Sequence, residues 1–328
     1  MRNWLDLPWD VTVSILSRLR AVEILESAQK VCMPWRNICK DPLMWLSIDM
    51  GMGNDGDYVE DMLDGLDAMC RHAVDSSCGR LVDINIEHFG TDDLLKYITD
   101  SCGGIKRLRL VSCDMIFDKG LSEVASKLTL LEELEISLCH LSHTSIEVVG
   151  RSCPLLKSFK LNGRWSKYKG LDCLPDEQDE EALAIAGTMR GLHHLQLFGN
   201  RLTNYGLRKI LKSCPHLESL DLCQCFNLDL TRTLGEKCTQ RIKQLRLPED
   251  SIDGYKFLDA VANDHEFLYG LTDAGRDYKD CDCAACSGEF NYDSNGNYSD
   301  DSDFYMKVET GFSLTTFKRG IFYEKKLL

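Results

Sequence analysis

Apolar residues recur along most of this chain in a six-residue pattern whose first, fourth and sixth positions are Leu, Ile or Phe. Copies begin at residues 81, 105, 131, 156, 192, 217 and 242, at intervals of 24, 26, 25, 36, 25 and 25 residues. Because side chains alternate across a strand, each copy predicts a strand with one buried face. Helical stretches such as LLKYITDSC and SIEVVGRSC follow the copies, so the pattern predicts about seven strand-helix units.

One strand and one helix in every 20 to 29 residues or so are typical of a leucine-rich repeat, in which stacked units share a core. The predicted fold class is therefore α/β, with a short repeat solenoid over residues 81–270. The helical stretch in residues 49–80 is predicted to cap the open first repeat. The apolar segment containing Phe257, Leu258, Val261 and Phe267 is a candidate cap for the other end.

The third and fifth positions of each copy should face solvent. Their side chains carry both signs of charge, and neighbouring strands place opposite charges about 4.8 Å apart. Such a polar, balanced face suits protein recognition better than a deep apolar ligand pocket. Candidate target-binding residues at the fifth positions are Arg109, Glu135, Lys160, Gln196, Asp221 and Arg246.

The fourth unit is longer than the others, with an interval of 36 residues where its neighbours have 25. The excess lies in residues 163–181. Trp165 and Tyr168, flanked by lysines, are candidates for target contact at one rim of the repeats. A tolerated surface insertion remains the alternative, because loops accept length changes at low cost.

The chain has 16 cysteines, and several recur in fixed slots. Cys113, Cys139 and Cys225 each follow the last apolar strand residue by three positions, and Asn200 takes that slot in the fifth unit. This periodicity predicts structural thiols. The CDCAAC segment at residues 281–286 lacks a second ligand pair for zinc, and the calcium-like loop at 291–302 ends in Ser, so no metal or cofactor is predicted.

The first 48 residues predict three short helices, with Pro8 in a first helical turn and one apolar face formed by Val11, Ile15, Leu16 and Leu19. About 45 residues cannot bury enough surface to be firmly stable alone. The module is therefore predicted to need a partner surface.

The order of residues in this module resembles the F-box. The resemblance is carried by Leu7 and Pro8, Ile15, Leu16 and Leu19, Val31 and Cys32, Trp35 and Arg36, and Asp41, Pro42, Leu43 and Trp45. Together with the repeats, the chain resembles plant F-box/LRR-repeat proteins, especially the Skp-interacting-partner group, over roughly residues 1–270. This resemblance sets the predicted domains as an F-box at 1–48, a capping helix and linker at 49–80, and repeats from 81.

The resemblance implies that the F-box docks onto a Skp-family adaptor, which links to a cullin and a ubiquitin-charged E2, while the repeats hold a protein target. The chain itself would be a non-catalytic receptor. Implied adaptor contacts are Leu7, Pro8, Ile15, Leu16 and Leu19, with Val31, Trp35 and Trp45 divided between the module core and the interface. Two alternatives stay open: a repeat scaffold that uses the F-box for assembly without degradation, and a helical cap that binds nothing.

Charge narrows the set of partners. The formal net charge of -14 weighs against nucleic acid or an anionic membrane, because both need clustered basic residues. The N-terminus lacks an uninterrupted apolar signal segment, so we expect the nucleus, the cytoplasm or both. Residues 280–303 hold acids but no Lys or Arg, and the tail at 271–328 is predicted to be acidic and disordered.

Overall fold

The computed structural model describes residues 7–51, 63–163, 179–231 and 233–259, which all belong to one compact unit, Met1–Gly275. The tail at 271–328 and the last predicted repeat residues, 260–270, lie outside these ranges. Within them the architecture is a single parallel sheet whose strands alternate with helices. The predicted α/β repeat fold is confirmed.

The sheet has eight strands that pair in sequence order. They are β1 (Ser47–Met50), β2 (Asp83–Glu87), β3 (Arg107–Val111), β4 (Glu133–Ser137), β5 (Ser158–Asn162), β6 (His194–Gln196), β7 (Ser219–Asp221) and β8 (Gln244–Arg246). Eight strands at about 4.8 Å spacing make a sheet roughly 34 Å across.

The helices fall into two groups. Those of the N-terminal module are α1 (Trp9–Leu16), α2 (Ala21–Glu23), a π-helical segment (Ile24–Ala28), α3 (Gln29–Val31), α4 (Met33–Cys39) and a 3-10 turn (Pro42–Trp45). Those of the repeats are α5 (Leu63–Ser76), α6 (Asp92–Ser101), α7 (Asp118–Ala125), α8 (His143–Ser152), α9 (Glu180–Thr188), α10 (Asn204–Ser213), α11 (Thr233–Arg241) and α12 (Lys256–Asp259).

Strand register follows the sequence pattern. Asp83 pairs with Arg107 and Arg107 with Glu133, so third positions meet third positions, and the fifth positions align in the same way. The fourth and sixth positions, such as Leu108 and Leu110, point inward and are almost completely buried. The repeats thus share one continuous core, as the pattern predicts.

The first strand of the sheet lies at the predicted boundary of the F-box. β1 comes from SIDM, which lacks the repeat pattern, and it pairs with β2 from Ser47 opposite Asp83 to Met50 opposite Ile86. The predicted F-box boundary at residue 48 therefore falls inside a strand. Because β1 precedes α5, that helix belongs to a first strand-helix unit and is more than a cap. Helix α2 and the 3-10 turn pack on α5, so the module and repeats form one body.

Five strands, β2, β3, β4, β6 and β7, continue into a tight turn with a positive φ at the eighth position of the pattern. Non-glycine residues there take a positive φ, for example 50° at Ser112, 59° at Leu138 and 63° at Gln224. Such backbone is uncommon outside glycine. It is held because each amide still donates to the next unit, as from Leu138 to the Asn162 carbonyl at 2.8 Å.

An aspartate ladder joins the starts of successive helices. The Asp92 carboxylate accepts the Phe117 amide at 2.9 Å, and the Asp179 carboxylate accepts the Thr203 amide at 2.8 Å. A glycine in the next helix makes room for the carboxylate. A Cβ on Gly120 would lie 1.9 Å from Oδ1 of Asp92, so these glycines are required by close approach.

The recurrent cysteines have the structural role predicted for them. The thiols of Cys113 and Cys139 lie 3.4 Å from the carbonyls of Val111 and Ser137, and so tie down the turn that leaves each strand. In the fifth unit, Asn200 accepts the Leu202 amide at 2.9 Å. Burial raises the pKa of Cys153 to about 11, which keeps that thiol protonated and unreactive.

The described part of the segment after β8 packs against the sheet. Residues 252–258, here called the strap, fold back along the sheet, and Phe257 joins a small core with Val111, Leu138 and Phe198. Val111 belongs to the third strand of the sheet, so the strap reaches across several repeats. The other predicted cap residues, Val261 and Phe267, lie outside the described residues.

Gly120→Ala should lower the free energy of unfolding by about 1–3 kcal/mol, because the new methyl group overlaps the Asp92 carboxylate and forces the ladder apart. The matched control is Gly187→Ala in α9, where a Cβ meets nothing within 4 Å. That change should leave stability unchanged or raise it by up to about 1 kcal/mol through helix propensity. Urea unfolding followed by circular dichroism measures both, and equal stability of the two variants would contradict the packing argument.

Candidate functional site

The N-terminal module divides the apolar face predicted for α1 into an inner and an outer side. Leu16 is 0% exposed and Leu19 packs against the same core, whereas Pro8 is exposed and Val11 is 39% exposed. Ile15 lies between these extremes. The residues left for a partner are therefore Pro8, Val11 and Ile15, spaced three and four apart along one helix side.

Leu16, which was predicted to contact an adaptor, is a core residue, and Trp45, which was predicted to belong to either the core or the interface, lies in the core. Leu16 cannot reach a partner because it is completely buried, and Trp45 is only 2% exposed. The Trp45 indole donates to the Cys39 carbonyl at 2.8 Å, which fixes the 3-10 turn against α4. Trp35 is half-buried and packs on the core, and Leu7 is also half-buried.

Val31 is 61% exposed, as expected for an interface residue, and the module also exposes apolar side chains that the sequence analysis missed. These are Trp9 at 55%, Met33 at 63%, Leu43 at 58% and Leu46 at 37%. Their only sequence signal is the excess of apolar residues over what so small a module can bury. We call Pro8, Trp9, Val11, Val31, Met33 and Leu43 the exposed apolar set.

Side-chain hydrogen bonds close the start of two helical elements of the module. The Glu23 carboxylate accepts the Arg20 amide at 2.8 Å and closes the start of α2, and this backbone hydrogen bond lowers the pKa of Glu23. The Asp41 carboxylate accepts the Leu43 amide at 2.9 Å at the start of the 3-10 turn. The 3-10 turn that carries Leu43 therefore has a defined start.

The second candidate surface is the solvent-facing side of the sheet, here called the strand face, which has three rows of side chains. The third-position row is the most open, with Arg107, Glu133, His194 and Gln244 exposed. The fifth-position row is half-buried, except that Asp221 is buried. The four longer strands, β2 to β5, add a seventh-position row that the six-residue pattern did not show.

Polar side chains of the fifth- and seventh-position rows bind one another across six strands. Arg109 donates to Glu87 at 2.8 Å and to Glu135 at 3.1 Å, and Lys160 donates to Glu135 at 3.0 Å. Asn85 extends this network to Asp49 on β1 at 2.7 Å. Arg109, Glu135 and Lys160 were predicted to bind a target, and in the structure they bind each other.

The same network continues through neutral groups towards β6. The Ser137 hydroxyl donates to Glu135 at 3.0 Å, Asn162 donates to Ser137 at 2.7 Å, and Gln196 donates to Asn162 at 2.8 Å. Ser137 and Asn162 are buried. Because buried polar groups need partners, this chain of hydrogen bonds stabilises the strand face. One donor, Nη2 of Arg109, is buried without an acceptor among the described residues.

The remaining two predicted contacts on the strand face, Asp221 and Arg246, hold the strap. The Tyr255 hydroxyl donates to the Asp221 carboxylate, at 2.9 Å from Oδ1 and 2.7 Å from Oδ2. The Arg246 guanidinium lies 4.4 Å from the centre of the Tyr255 ring. Burial and the Asp221 carboxylate raise the pKa of Tyr255, so its hydroxyl keeps the proton that it donates. Asp221 is therefore covered from within the chain, and Arg246 packs against the strap while its side chain stays 36% exposed.

A cleft of about 410 Å³ remains open beside the strap. Arg107, Arg109, Glu133 and Glu135 line it from the sheet, and Lys256 and Phe257 line it from the strap. The other predicted contacts, Trp165 and Tyr168 of the long fourth-unit loop, lie outside the described residues. Their proposed role stays a prediction.

Metal-binding clusters and membrane-spanning helices are both absent from the residues that the structure describes. No group of three or more His, Cys, Asp or Glu side chains is arranged there to hold a metal ion. No helix in those ranges is long and apolar enough to cross a membrane. The CDCAAC segment and the calcium-like loop lie outside the described residues.

Glu135→Gln should lower the free energy of unfolding by about 1–3 kcal/mol at pH 7, because it removes the carboxylate that Arg109 and Lys160 share in a half-buried row and leaves Arg109 paired with Glu87 alone. Burial alone would raise the pKa of Glu135, but Arg109 and Lys160 hold it below its ordinary value. The stabilisation is therefore complete above the unfolded pKa of about 4.3 and is lost as pH falls through the lower folded pKa.

Chemical denaturation of wild type and the Glu135→Gln variant across this pH range measures the effect. The difference between the two proteins should shrink below about pH 4. Glu133→Gln, at an exposed position on the same strand, is the matched control and should have little effect. A wild-type advantage that stays constant down to acid pH would contradict the assigned role of the carboxylate.

Comparisons with known proteins agree with this architecture. Residues 4–50 match the family described as F-box-like. F-box/LRR-repeat protein 23 of Arabidopsis thaliana is 50% identical over 254 residues, which are 77% of this chain but 55% of that protein, so the chain spans about half of that relative's length. F-box protein SKIP19 of the same plant is 48% identical over 271 residues, covering 83% of this chain and 84% of that protein.

More distant matches extend the comparison. F-box protein SKIP1 of Arabidopsis thaliana is 32% identical over 266 residues, 75% of this chain and 87% of that protein. Among solved structures, the tropomodulin C-terminal domain of Caenorhabditis elegans covers 46% of this chain at 14% identity and a TM-score of 0.35, and it carries no weight here. The F-box match, the strand-helix array and the relatives that align over most of both chains together show that this protein belongs to the plant F-box/LRR-repeat family.

Proposed function

We propose that this chain is the target-binding subunit of a Skp-cullin-F-box ubiquitin ligase. In this role the F-box binds a Skp-family adaptor, and the repeats hold a protein for ubiquitination and proteasomal degradation. The chain supplies no catalytic group. It acts by proximity, since a tethered target meets the E2 at a high effective concentration. We place this activity in the nucleus, the cytoplasm or both.

The observation that carries the proposal is the exposed apolar set on a module that matches the F-box-like family. Trp9, Val31 and Met33 are each more than half exposed, although burial of such side chains in a partner would each contribute about 1.5–3 kcal/mol. Solvent-exposed apolar residues gathered in one small module mark an interaction site. The relatives named SKIP19 and SKIP1 support a Skp-family adaptor as the partner.

The joined architecture also supports a bridging role. β1 pairs with β2, and α2 and the 3-10 turn pack on α5, so the F-box and the repeats are continuous. The exposed apolar set and the strand face therefore keep a defined separation. A receptor that brings a target to an E2 benefits from such a spacing, because positioning raises the rate of transfer.

Pro8→Asp combined with Val11→Asp should reduce adaptor binding at least tenfold, because each change places a charge where an apolar contact is expected. Acidic residues at a helix start are favourable, so the fold should be retained. Co-purification with a recombinant Skp-family adaptor and a thermal melt measure both properties. The matched control is Leu155→Asp, at an apolar position 46% exposed on the repeats. Unchanged adaptor binding by the double variant would count against the proposal.

Depletion of this protein and proteasome inhibition should each raise the abundance of the same target proteins in plant cells. Re-expression of wild type should restore turnover, whereas the Pro8→Asp and Val11→Asp double variant should not. Quantitative proteomics after a translation block measures the half-lives. Bound proteins whose half-lives stay constant under all of these treatments would favour the alternative, a scaffold that uses its F-box for assembly without degradation.

A further inference from the structure

The strap occupies the strand face in the way that a bound peptide would. Tyr255 and Phe257 are 7% and 2% exposed, and both rings contact Phe198, with centroids 4.7 Å and 5.1 Å from it. Phe198 occupies the seventh position of its copy of the repeat pattern. The groove that receives the two rings also contains Val111, Leu138 and Cys223, which belong to three other repeats. We call these four residues the aromatic groove.

The groove residues belong to a core separate from that of the repeats. Val111, Leu138, Phe198 and Cys223 cluster with the strap, whereas the fourth and sixth pattern positions form the main core. If the strap left, an apolar groove would open on an otherwise polar face. Large apolar surfaces of this kind mark binding sites.

Polar contacts orient the occupant of the groove. Asp221 accepts the Tyr255 hydroxyl at 2.7 Å, and Arg246 lies over the Tyr255 ring at 4.4 Å. Between the two aromatic residues, Lys256 is exposed and lines the cleft that also holds Glu133 and Glu135. The groove is thus complementary to a tyrosine, a basic residue and a phenylalanine in succession.

The strap is attached mainly through side chains. Among the described residues, no backbone group of 252–258 hydrogen-bonds to a strand, whereas successive repeats are joined by backbone bonds at every turn. Gly254, with a φ of 88°, turns the chain just before the aromatic pair. Besides the two rings and the hydroxyl, Ile252 and Leu258 pack on the same cluster, so the strap is held by side chains and can leave without breaking backbone hydrogen bonds of the sheet.

We propose that the aromatic groove recognises a target segment of the form Tyr-x-Phe in the helical-turn conformation that the strap adopts, and that the strap is its intramolecular competitor. The inference rests on the proposed function, in which the repeats hold a target. A target segment enters when the strap leaves, takes the Asp221 hydrogen bond through its tyrosine and buries its phenylalanine against Val111 and Leu138. The cleft beside the strap then extends the contact to the charged third-position row.

The test uses the full-length chain and a fluorescein-labelled peptide with the strap sequence, DSIDGYKFLD. The Tyr255→Ala and Phe257→Ala double variant empties the groove and should bind this peptide saturably in fluorescence anisotropy. Wild type should bind at least about tenfold more weakly, because the tethered strap competes at a high effective concentration. Adding Asp221→Ala to the double variant should weaken binding by about tenfold, whereas adding His194→Ala, at an exposed position on the same face, should not.

A peptide with both aromatic residues replaced by alanine is the control ligand and should not bind. Tyr255→Phe provides a milder variant that keeps both rings and loses only the hydroxyl. It should bind the peptide more tightly than wild type, and its residues 252–258 should exchange amide hydrogens faster while the repeats stay protected.

A thermal melt shows whether the double variant is folded. The inference is overturned if the folded double variant does not bind the peptide, or if it binds the peptide no better than wild type does. The same samples are tested for adaptor co-purification, which keeps the two proposals apart. Retained adaptor binding without peptide binding rejects the groove alone. Failure of wild type to bind any adaptor rejects the proposed ligase role and leaves the groove measurement standing.

Discussion

Register between neighbouring parallel strands is the constraint on which the rest of this structure depends. Because each pattern position meets its equivalent in the next repeat, side chains form rows across the strands, and neighbours within a row are about 4.8 Å apart. The fourth and sixth rows then build the core, and the fifth joins carboxylates to cations. A slip of one residue would turn every apolar side chain to solvent and dissolve these rows together.

Sequence periodicity predicted the rows of side chains that recur in every repeat. It missed the contacts that occur only once in the chain. Seven strands and the pairing of Arg109, Glu135 and Lys160 follow from one motif read at a constant interval. β1 was missed because SIDM lacks that motif, and it joins the sheet only because the module before it is packed against α5. The strap was not predicted because the small core that joins Phe257 to residues of distant repeats, such as Val111, has no periodic signal.

The F-box shows a different limit of sequence reading. Its first helix is apolar on nearly every side, so periodicity identified the helix but could not say which residues face inward. Packing decides the matter: Leu16 and Trp45 fill the core, and Trp9, Val31 and Met33 remain outside. In so small a module the inner and outer apolar residues differ by a single helical position, which only the tertiary contacts distinguish.

Because β1 joins the F-box to the sheet of the repeats, the number of repeats sets the distance between the F-box and the far end of the sheet. With β1 in the same sheet as β8, every repeat between them adds one fixed step and one fixed twist to the separation of the two ends. Gain or loss of a whole repeat would shift the far end by that increment without loosening the near end. Evolution of this architecture can therefore alter reach in discrete units while the N-terminal attachment stays the same.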